Sequence, residues 1–239
     1  MSNKPWKFYD MVINGLPQRV KYNEDTVNQL FLPLLRKLTQ IQRQKQRKIM
    51  AFLAAPPATG KSTLVQFWEQ LSKTQDGFHY PNAYLDSHTI ECDGETITLR
   101  SIKGAPETFD VTGLRAKMQE AKQGKSLWPV YDRKIHNPIP DALAVNANIL
   151  LVEGNWLLLD EPQWRDLREL ADYTLSIKAT PELLQERLIQ RKIQGGLPKA
   201  DAVKFYETSD RLNIERILNH TFPADEQWQM VEDGDFIRC

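Results

Sequence analysis

The sequence predicts an α/β fold of three layers, in which a mostly parallel sheet has helices on both faces. Three short apolar runs without polar alternation predict the sheet: Ile49–Ala54, Ile149–Val152 and Tyr173–Ile177. Strands that are buried on both faces of a parallel sheet have this continuous apolar pattern. Thr180 and Pro181 favour a helix start after the third run, because Thr is a good N-cap and Pro fits the first helical turn. Strands, loops and helices therefore alternate along the chain.

Residues 1–47 are predicted to add a hairpin and a helix on the N-terminal side of this fold. The hairpin is expected to turn at Asn14-Gly15, a dipeptide that tolerates the positive φ angles of tight turns. Asp25 is expected to cap a helix over about 26–45, and Pro33 is expected to strain that helix.

The whole chain, residues 1–239, is expected to form one domain, because its length suits a single α/β unit. Asp93-Gly94 lies between two stretches rich in Thr and Ile and predicts an inserted hairpin or flap over residues 88–101. A lid is expected over residues 187–205, for the reasons given below.

Composition and charge indicate a small-molecule partner. Lys plus Arg and Asp plus Glu both number 31, so no basic field indicates a nucleic-acid partner. The cysteines Cys92 and Cys239 favour a reducing compartment over a disulfide framework. The N-terminus lacks the apolar region of a signal peptide, and no apolar run is long enough to span a bilayer. We therefore expect a cytoplasmic protein that does not associate with a membrane.

The strongest functional motif is a phosphate-binding loop between the first apolar run and an amphipathic stretch. The residues expected to surround nucleotide phosphates are Pro57, Ala58, Thr59, Gly60, Lys61, Ser62 and Thr63. In such a loop backbone N–H groups face the phosphate oxygens, the lysine reaches the β- and γ-phosphates, and the hydroxyl binds Mg²⁺. The sequence departs from the usual pattern at two positions, because Ala55 replaces the first glycine and Ala58 fills a middle position that is often glycine. The alternatives are a helix start with a chance lysine, and a degenerate loop that binds nucleotide without turning it over.

Four further motifs, in this order, distinguish the chain from GTPases and motor ATPases. They are Asp76–Asn82 (D-G-F-H-Y-P-N), Lys103–Asp110 (K-G-A-P-E-T-F-D), Pro129–Arg133 and Val152–Gly154. Together they resemble the P-loop small-molecule kinases of the pantothenate kinase, uridine kinase and phosphoribulokinase superfamily. The resemblance covers about residues 49–215 and is strongest to the bacterial branch of sugar-transport and nucleoside kinases. It implies a P-loop NTPase fold, an enzyme, and ATP with Mg²⁺ as cofactors.

The resemblance implies roles for individual residues in phosphoryl transfer to a hydroxyl group. By position Asp76 corresponds to the acidic residue that orients the acceptor hydroxyl and takes its proton. The residues that correspond to acceptor-site positions are His79, Tyr131, Asp132, Arg133 and Asn155. For Asp76 the alternative is a plain Asp-Gly turn, for His79 it is a hydrogen-bonded structural histidine, and for Tyr131 it is a core residue.

Glu153 is the candidate carboxylate for Mg²⁺. It stands at the end of a buried strand, on the side where parallel sheets carry their ligands. The alternative is a capping or turn role. Arg187 and Arg191 are four residues apart and share a helix face, followed by Gly195-Gly196. This pattern suits a lid whose arginines neutralise the transferred phosphoryl group, and the alternative is a solvated basic face.

The spacing between the phosphate loop and Asp76 is short for this fold. A helix from Lys61 to about Leu71 would lead the chain roughly 16 Å away, and five further steps leave no residues for a strand before Asp76. We therefore expect either a lost second strand or a segment missing between about Ser72 and Asp76.

The sequence thus predicts an ATP-dependent kinase for a hydroxyl of a sugar, nucleoside or pantothenate-like metabolite. It does not give the oligomeric state, although members of the superfamily that it resembles often form homodimers. The alternative is a nucleotide-dependent switch or NTPase without a small-molecule acceptor.

Overall fold

The structure is a computed structural model that describes residues 5–13, 16–68, 72–74, 78–92, 94–124, 126–132 and 135–239. The strands in these ranges are β1 (Trp6–Ile13), β2 (Leu16–Asn23), β3 (Ile49–Ala54), β4 (Ser72–Thr74), β5 (Thr89–Cys92), β6 (Glu95–Thr98), β7 (Ser126–Asp132), β8 (Asn137–Val145), β9 (Ile149–Gly154), β10 (Tyr173–Lys178), β11 (Glu226–Met230) and β12 (Phe236–Arg238). The α-helices are α1 (Glu24–Thr26), α2 (Leu32–Lys45), α3 (Lys61–Phe67), α4 (Asn82–Ser87), α5 (Val111–Gln123), α6 (Pro181–Gln194), α7 (Lys199–Phe205) and α8 (Arg211–Asn219).

A six-stranded sheet forms the centre of the fold, in the order β12-β11-β10-β3-β9-β4. Its strands run parallel except β12, which pairs antiparallel with β11 at one edge. The three apolar runs of the sequence are β3, β9 and β10, which are neighbours at the centre. The expected three-layer α/β fold with a mostly parallel sheet is therefore confirmed.

Helices cover both faces of the sheet and create two hydrophobic cores. Alternate residues of β3 point to opposite sides, so that Leu53 joins the core formed with α2, α3 and α6. Phe52 joins the second core, which includes α5 and the indole rings of Trp128 and Trp156. Because both faces of β3 are buried, its sequence has no polar alternation.

The N-terminal helix differs from the sequence expectation at its start. Asn23 caps it, since its side-chain oxygen accepts a hydrogen bond from the Asp25 N–H at 3.0 Å; Asp25 itself was the wrong choice. A π-helical turn over Val27–Phe31 then precedes α2, and Pro33 falls in the first turn of α2. Its missing N–H is tolerated there, because the irregular turn relieves the helix that the proline would interrupt.

An aromatic cluster packs the N-terminal hairpin against the helix that follows the phosphate loop. The ring of Phe67, at the end of α3, lies 4.8 Å from Tyr9 and 4.4 Å from Tyr22, centroid to centroid. Phe31 contacts Trp68 at 5.4 Å from the other side. The hairpin and helix thus support α3 from outside the sheet.

The helix after the phosphate loop is shorter than predicted, so that more residues remain between its end and Asp76. α3 ends at Phe67, where the Trp68 N–H donates to the Leu64 carbonyl oxygen at 2.9 Å. The seven residues of α3 cover only about 10 Å. The chain then forms β4 over Ser72–Thr74, which pairs with β9 in parallel. The expectation of a lost second strand was therefore wrong, because a shorter helix leaves residues for a short strand. The alternative of a segment missing between about Ser72 and Asp76 stays a prediction.

Two further hairpins extend from the fold. β5 pairs with β6 where an inserted hairpin was predicted, and Asp93 of its turn lies outside the described residues. β7 pairs with β8 across a bulge between Trp128 and Val130. This second hairpin was not predicted, because Pro129 and the prolines of β8 interrupt the strand pattern. Within the described ranges, none of the helices has the length and apolar character needed to cross a membrane.

Candidate active site

The phosphate loop follows β3 and holds two residues in the left-handed backbone region. Gly60 has a φ of 81° without steric cost, whereas Ala58 has a φ of 67°. For a residue with a Cβ atom, such as Ala58, this left-handed conformation is less favourable by roughly 1–2 kcal/mol of free energy. The Thr59 hydroxyl donates to the Pro56 carbonyl oxygen at 2.9 Å and closes the loop. Ala55 is buried outside the left-handed region, so only one of the two alanines strains the backbone.

Lys61 is the first residue of α3 and folds back over the loop. Only 8% of it is exposed, and its ammonium group donates to the Pro56 carbonyl oxygen at 3.0 Å. Its positive charge is therefore held within the loop instead of in solvent.

Ser62 and Glu153 connect the phosphate loop to the neighbouring strand. The Ser62 hydroxyl donates to Glu153 Oε1 at 2.7 Å, and Glu153 is only 4% exposed. The contact forms because β3 and β9 are parallel neighbours with Leu53 opposite Glu153. A hydroxyl and a carboxylate oxygen suit Mg²⁺, which also keeps several water and phosphate ligands. The described residues contain no cluster of three or more His, Cys, Asp or Glu side chains that could hold a metal ion.

Arg187 reaches the phosphate loop from α6. Its Nε donates to the Ala58 carbonyl oxygen at 2.8 Å, and its Nη1 lies near Gly234, which follows β11. Loss of hydration lowers the pKa of Arg187, and the neighbouring charge of Arg191 acts in the same direction. α6 therefore presents concentrated positive charge beside the loop.

The C-terminal end of α6 is fixed to the following helices. The Lys192 ammonium lies 3.2 Å from Asp210 Oδ2 and 3.7 Å from the centroid of the Phe205 ring. Burial raises the pKa of Asp210, and the charge of Lys192 opposes this effect. The segment predicted as a lid is thus anchored through Lys192.

Two predicted site residues, Asp76 and Arg133, lie outside the described residues. The strand that leads to Asp76 is β4, and its last residue, Thr74, is paired with Glu153. The hairpin strand before Arg133 ends at Asp132, whose Oδ1 accepts a hydrogen bond from the Ile135 N–H at 3.3 Å.

His79 and Tyr131 come together on a second side of the site, where they lie beside Phe109. The His79 ring stacks on Phe109 at 3.9 Å and lies 5.5 Å from the Tyr131 ring. His79 Nδ1 is 3.4 Å from the Thr108 carbonyl oxygen. Phe109 and Thr108 belong to the Lys103–Asp110 motif and His79 belongs to the Asp76–Asn82 motif, so these two motifs meet here.

The turn at Gly104 is tied to the end of β9. Trp156 is fully buried, and its indole N–H donates to the Gly104 carbonyl oxygen at 3.0 Å. Gly104 has a φ of 112°, a conformation that only glycine adopts easily. Because Asn155 and Trp156 follow the Glu153 strand directly, β9 connects the two sides of the site.

Three relatives place the chain among known sequences. "Uncharacterized protein YggC" from Escherichia coli (strain K12) is 40% identical over 95% of this chain and 97% of that protein. "Putative uridine kinase C227.14" from Schizosaccharomyces pombe is 28% identical over 75% of this chain and 82% of that protein. A pantothenate kinase from Levilactobacillus brevis is 28% identical over 65% of this chain and 53% of that protein.

The chain belongs to the family of YggC, within the pantothenate kinase and uridine kinase superfamily.

Solved structures of P-loop kinases have the same fold. A "putative fructose transport system kinase" from Silicibacter sp. TM1040 is 29% identical, with a TM-score of 0.69 over 80% of this chain and 98% of that one. YFH7 from Saccharomyces cerevisiae, described as "a putative P-loop containing kinase with a circular permutation", shares the fold at 16% identity. Its TM-score is 0.69 over 82% of this chain and 97% of that one. No protein-family model matches the chain.

Lys103 and Trp156 are two residues of the site that their sequence pattern did not reveal. Lys103 opens the Lys103–Asp110 motif, and its side chain donates to the Asn82 side-chain oxygen and to the His136 carbonyl oxygen of the hairpin. Trp156 follows the Val152–Gly154 motif by two residues, and a large aromatic residue just after the end of that strand was the available signal. Both residues act through contacts between distant segments, which a linear pattern does not show.

Proposed function

We propose that the chain is an ATP-dependent phosphotransferase that moves the γ-phosphate of ATP to a hydroxyl group of a small metabolite. The contact between Ser62 and Glu153 at 2.7 Å carries this proposal, because it joins the phosphate loop to β9. β9 leads to Trp156, which holds the acceptor-side turn at Gly104. In this proposal the nucleotide side and the acceptor side would meet at one strand, which would bring the two bound substrates together for transfer.

On the nucleotide side, Pro57–Thr63 would surround the phosphates and Lys61 would neutralise the β- and γ-phosphates. Ser62 and Glu153 would hold Mg²⁺, which neutralises phosphate oxygens when bound. Arg187 and Arg191 would stabilise charge on the transferred group as a lid. Support comes from Arg187, which already binds the loop at Ala58.

On the acceptor side, Asp76 would orient the acceptor hydroxyl and take its proton late in the transfer. The hydroxyl oxygen then bonds to the γ-phosphorus, while the bond from that phosphorus to the β–γ bridging oxygen breaks. The residues proposed to surround the acceptor are His79, Tyr131, Asp132, Arg133 and Asn155. The ring contacts of His79 and Tyr131 support this grouping.

The names of the relatives suggest the classes of acceptor: a sugar, a nucleoside or a pantothenate-like compound. We further propose that residues 1–239 act as one cytoplasmic kinase domain, with the N-terminal extension over 1–47, the hairpin over 88–101 and the lid over 187–205. The exposed free thiols of Cys92 and Cys239 support a reducing compartment. A homodimer and the absence of a nucleic-acid partner remain parts of this proposal.

The decisive experiment is ADP formation with ATP and Mg²⁺ across a panel of hydroxyl-bearing metabolites. We expect ADP to form in proportion to one added metabolite, with a phosphorylated product of matching mass. Steady hydrolysis that no metabolite changes, but that a protein or nucleic acid stimulates, would instead support a nucleotide-dependent switch. ATP binding without turnover for any acceptor would support a degenerate nucleotide-binding loop.

A further inference from the structure

Lys103 lies where three segments of the acceptor side meet. It precedes Gly104, which Trp156 holds through its indole N–H at 3.0 Å. The Lys103 ammonium donates to the Asn82 side-chain oxygen at 2.6 Å and to the His136 carbonyl oxygen at 2.9 Å. The Gly104 turn, the start of α4 and the β7–β8 hairpin are therefore joined at one cation.

The partners of this ammonium group are neutral. They are an amide oxygen, a backbone carbonyl oxygen and the face of the Tyr131 ring, whose centroid is 5.1 Å from Nζ. Among the described residues no carboxylate forms an ion pair with Lys103; Asp86, the acidic side chain that acts on it, pairs with Arg100 at 3.9 Å. Since an ammonium has three N–H donors, these two hydrogen bonds leave capacity for another acceptor.

Burial makes Lys103 responsive to a bound anion. It lowers the pKa of Lys103 to about 8, with Arg100 acting in the same direction and Asp86 opposing it. The group is still mostly protonated at neutral pH, as a partly desolvated cation with neutral partners. An anionic group beside it would favour the charged form and form a charge-assisted hydrogen bond.

We propose that Lys103 binds an anionic group of the acceptor, a carboxylate or a phosphate monoester, so that the substrate is a negatively charged hydroxy compound. This inference rests on the proposed kinase function and narrows its substrate class. The position supports it, because Tyr131 contacts both Lys103 and the acceptor-side residue His79. The competing account is that Lys103 only braces α4 against the hairpin.

Matched acceptor pairs distinguish these accounts. The first pair is D-pantothenate and pantothenol, which share the acceptor hydroxyl but differ in a carboxylate. The second is fructose 6-phosphate and fructose, and further charged and uncharged pairs extend the panel. We expect the wild type to prefer a charged member. Lys103→Met should raise KM for that member about 10- to 100-fold and change the uncharged member less than about threefold.

Two further variants separate the charge of Lys103 from its packing. Lys103→Arg keeps the charge and should retain the preference for the charged acceptor. Lys21→Met removes an exposed lysine of the N-terminal hairpin and should leave both KM values unchanged.

The pH dependence gives an independent readout. KM of the wild type for the charged acceptor should rise as the pH passes about 8, where Lys103 loses its proton. Lys103→Arg should lack this rise, because arginine stays protonated. Among the described residues, the titratable and charged groups that act on or contact Lys103 are Arg100 on its own segment, Asp86 on α4 and Tyr131 on the hairpin.

The inference fails if the wild type prefers uncharged acceptors, or if Lys103→Met weakens both members of a pair equally. If no acceptor supports ADP formation, the proposed function fails, and calorimetric titration with the same compounds then decides the inference separately. Binding of a charged member that Lys103→Met abolishes would support it. Equal binding to both proteins, or none, would overturn it.

Discussion

The proposed nucleotide side and the proposed acceptor side of the site are built in different ways. The nucleotide side comes from nine consecutive residues, Ala55–Thr63, with one carboxylate from the adjacent strand. The acceptor side is assembled from separate segments that include His79, Lys103, Tyr131 and Trp156, and contacts between the segments hold it together. Phosphate groups are bound by a ring of backbone N–H donors, which one short loop can supply. An acceptor molecule is recognised by a pocket of matching shape, which several distant segments must form together.

The two sides also differ in the groups that surround their charged side chains. On the nucleotide side, Lys61, Glu153 and Arg187 all contact the phosphate loop or its first helical turn. On the acceptor side, Lys103 is held by neutral groups. Changes on the first side should therefore affect ATP and turnover, and changes on the second should affect the acceptor.

The largest expected losses of turnover come from substituting Lys61 on the nucleotide side and Asp76 on the acceptor side. Lys61→Ala should lower turnover by about 10³-fold or more, because it removes the charge that neutralises the β- and γ-phosphates. Asp76→Asn should lower kcat by about 10²- to 10⁴-fold, since the amide cannot take the hydroxyl proton. The Asn variant should nevertheless bind ATP with a Kd within about threefold of the wild type, measured by calorimetry. Normal turnover of Asp76→Asn would show that its catalytic assignment is wrong.

A smaller effect is expected when the hydrogen bond between Trp156 and Gly104, which connects the two sides, is removed. Trp156→Phe removes the hydrogen bond to Gly104 and should raise KM for the acceptor about five- to tenfold, with little change in KM for ATP. Steady-state kinetics with each substrate varied in turn measure both constants.

Trp228→Phe is the matched control for this variant. Trp228 is also fully buried, and its indole N–H donates to Glu226 Oε1 at 2.8 Å in the other core. Both variants should lose roughly 1–3 kcal/mol of unfolding free energy, but only Trp156→Phe should change KM for the acceptor. Equal kinetic effects would mean that Trp156 acts through general stability.

The smallest catalytic effect is expected at Asp172, at the opposite end of β3 from the phosphate loop. Burial opposes its ionisation, but Arg47, Lys45, the Met50 N–H and Lys122 outweigh burial and hold its pKa well below the usual value. Asp172→Asn should lower the unfolding free energy at neutral pH by about 2 kcal/mol and leave both KM values unchanged.

The sign of the pH dependence follows from the depressed pKa of Asp172. The stabilisation is complete above the unfolded-state pKa, near 3.8, and is lost as the pH falls below it towards the folded-state value. Urea unfolding from pH 7 to pH 3 should therefore show the difference between wild type and Asp172→Asn shrinking below about pH 4. A constant difference across this range would contradict the assignment.

Several parts of the fold were predictable because they depend on local pattern. The strands β3, β9 and β10 appear in the sequence as apolar runs, and Thr180 caps α6 by accepting a hydrogen bond from the Leu183 N–H. The end of α3 was not predictable, since helical periodicity continued past Phe67 while packing of the aromatic cluster and return to β9 ended the helix. The β7–β8 hairpin was missed because its prolines are tolerated only at bulges and edges.

The sequence by itself determined the α/β class, the phosphate loop and the superfamily, because consecutive residues carry each of these signals. Tertiary structure alone decided that Glu153 meets Ser62, that Arg187 reaches Ala58, and that Lys103 lies between Asn82 and the hairpin. The physical reason is the distance along the chain between the residues that interact. Backbone conformation and phosphate binding depend on neighbours along the chain, whereas acceptor recognition depends on side chains that only the packed sheet and its hairpins bring together.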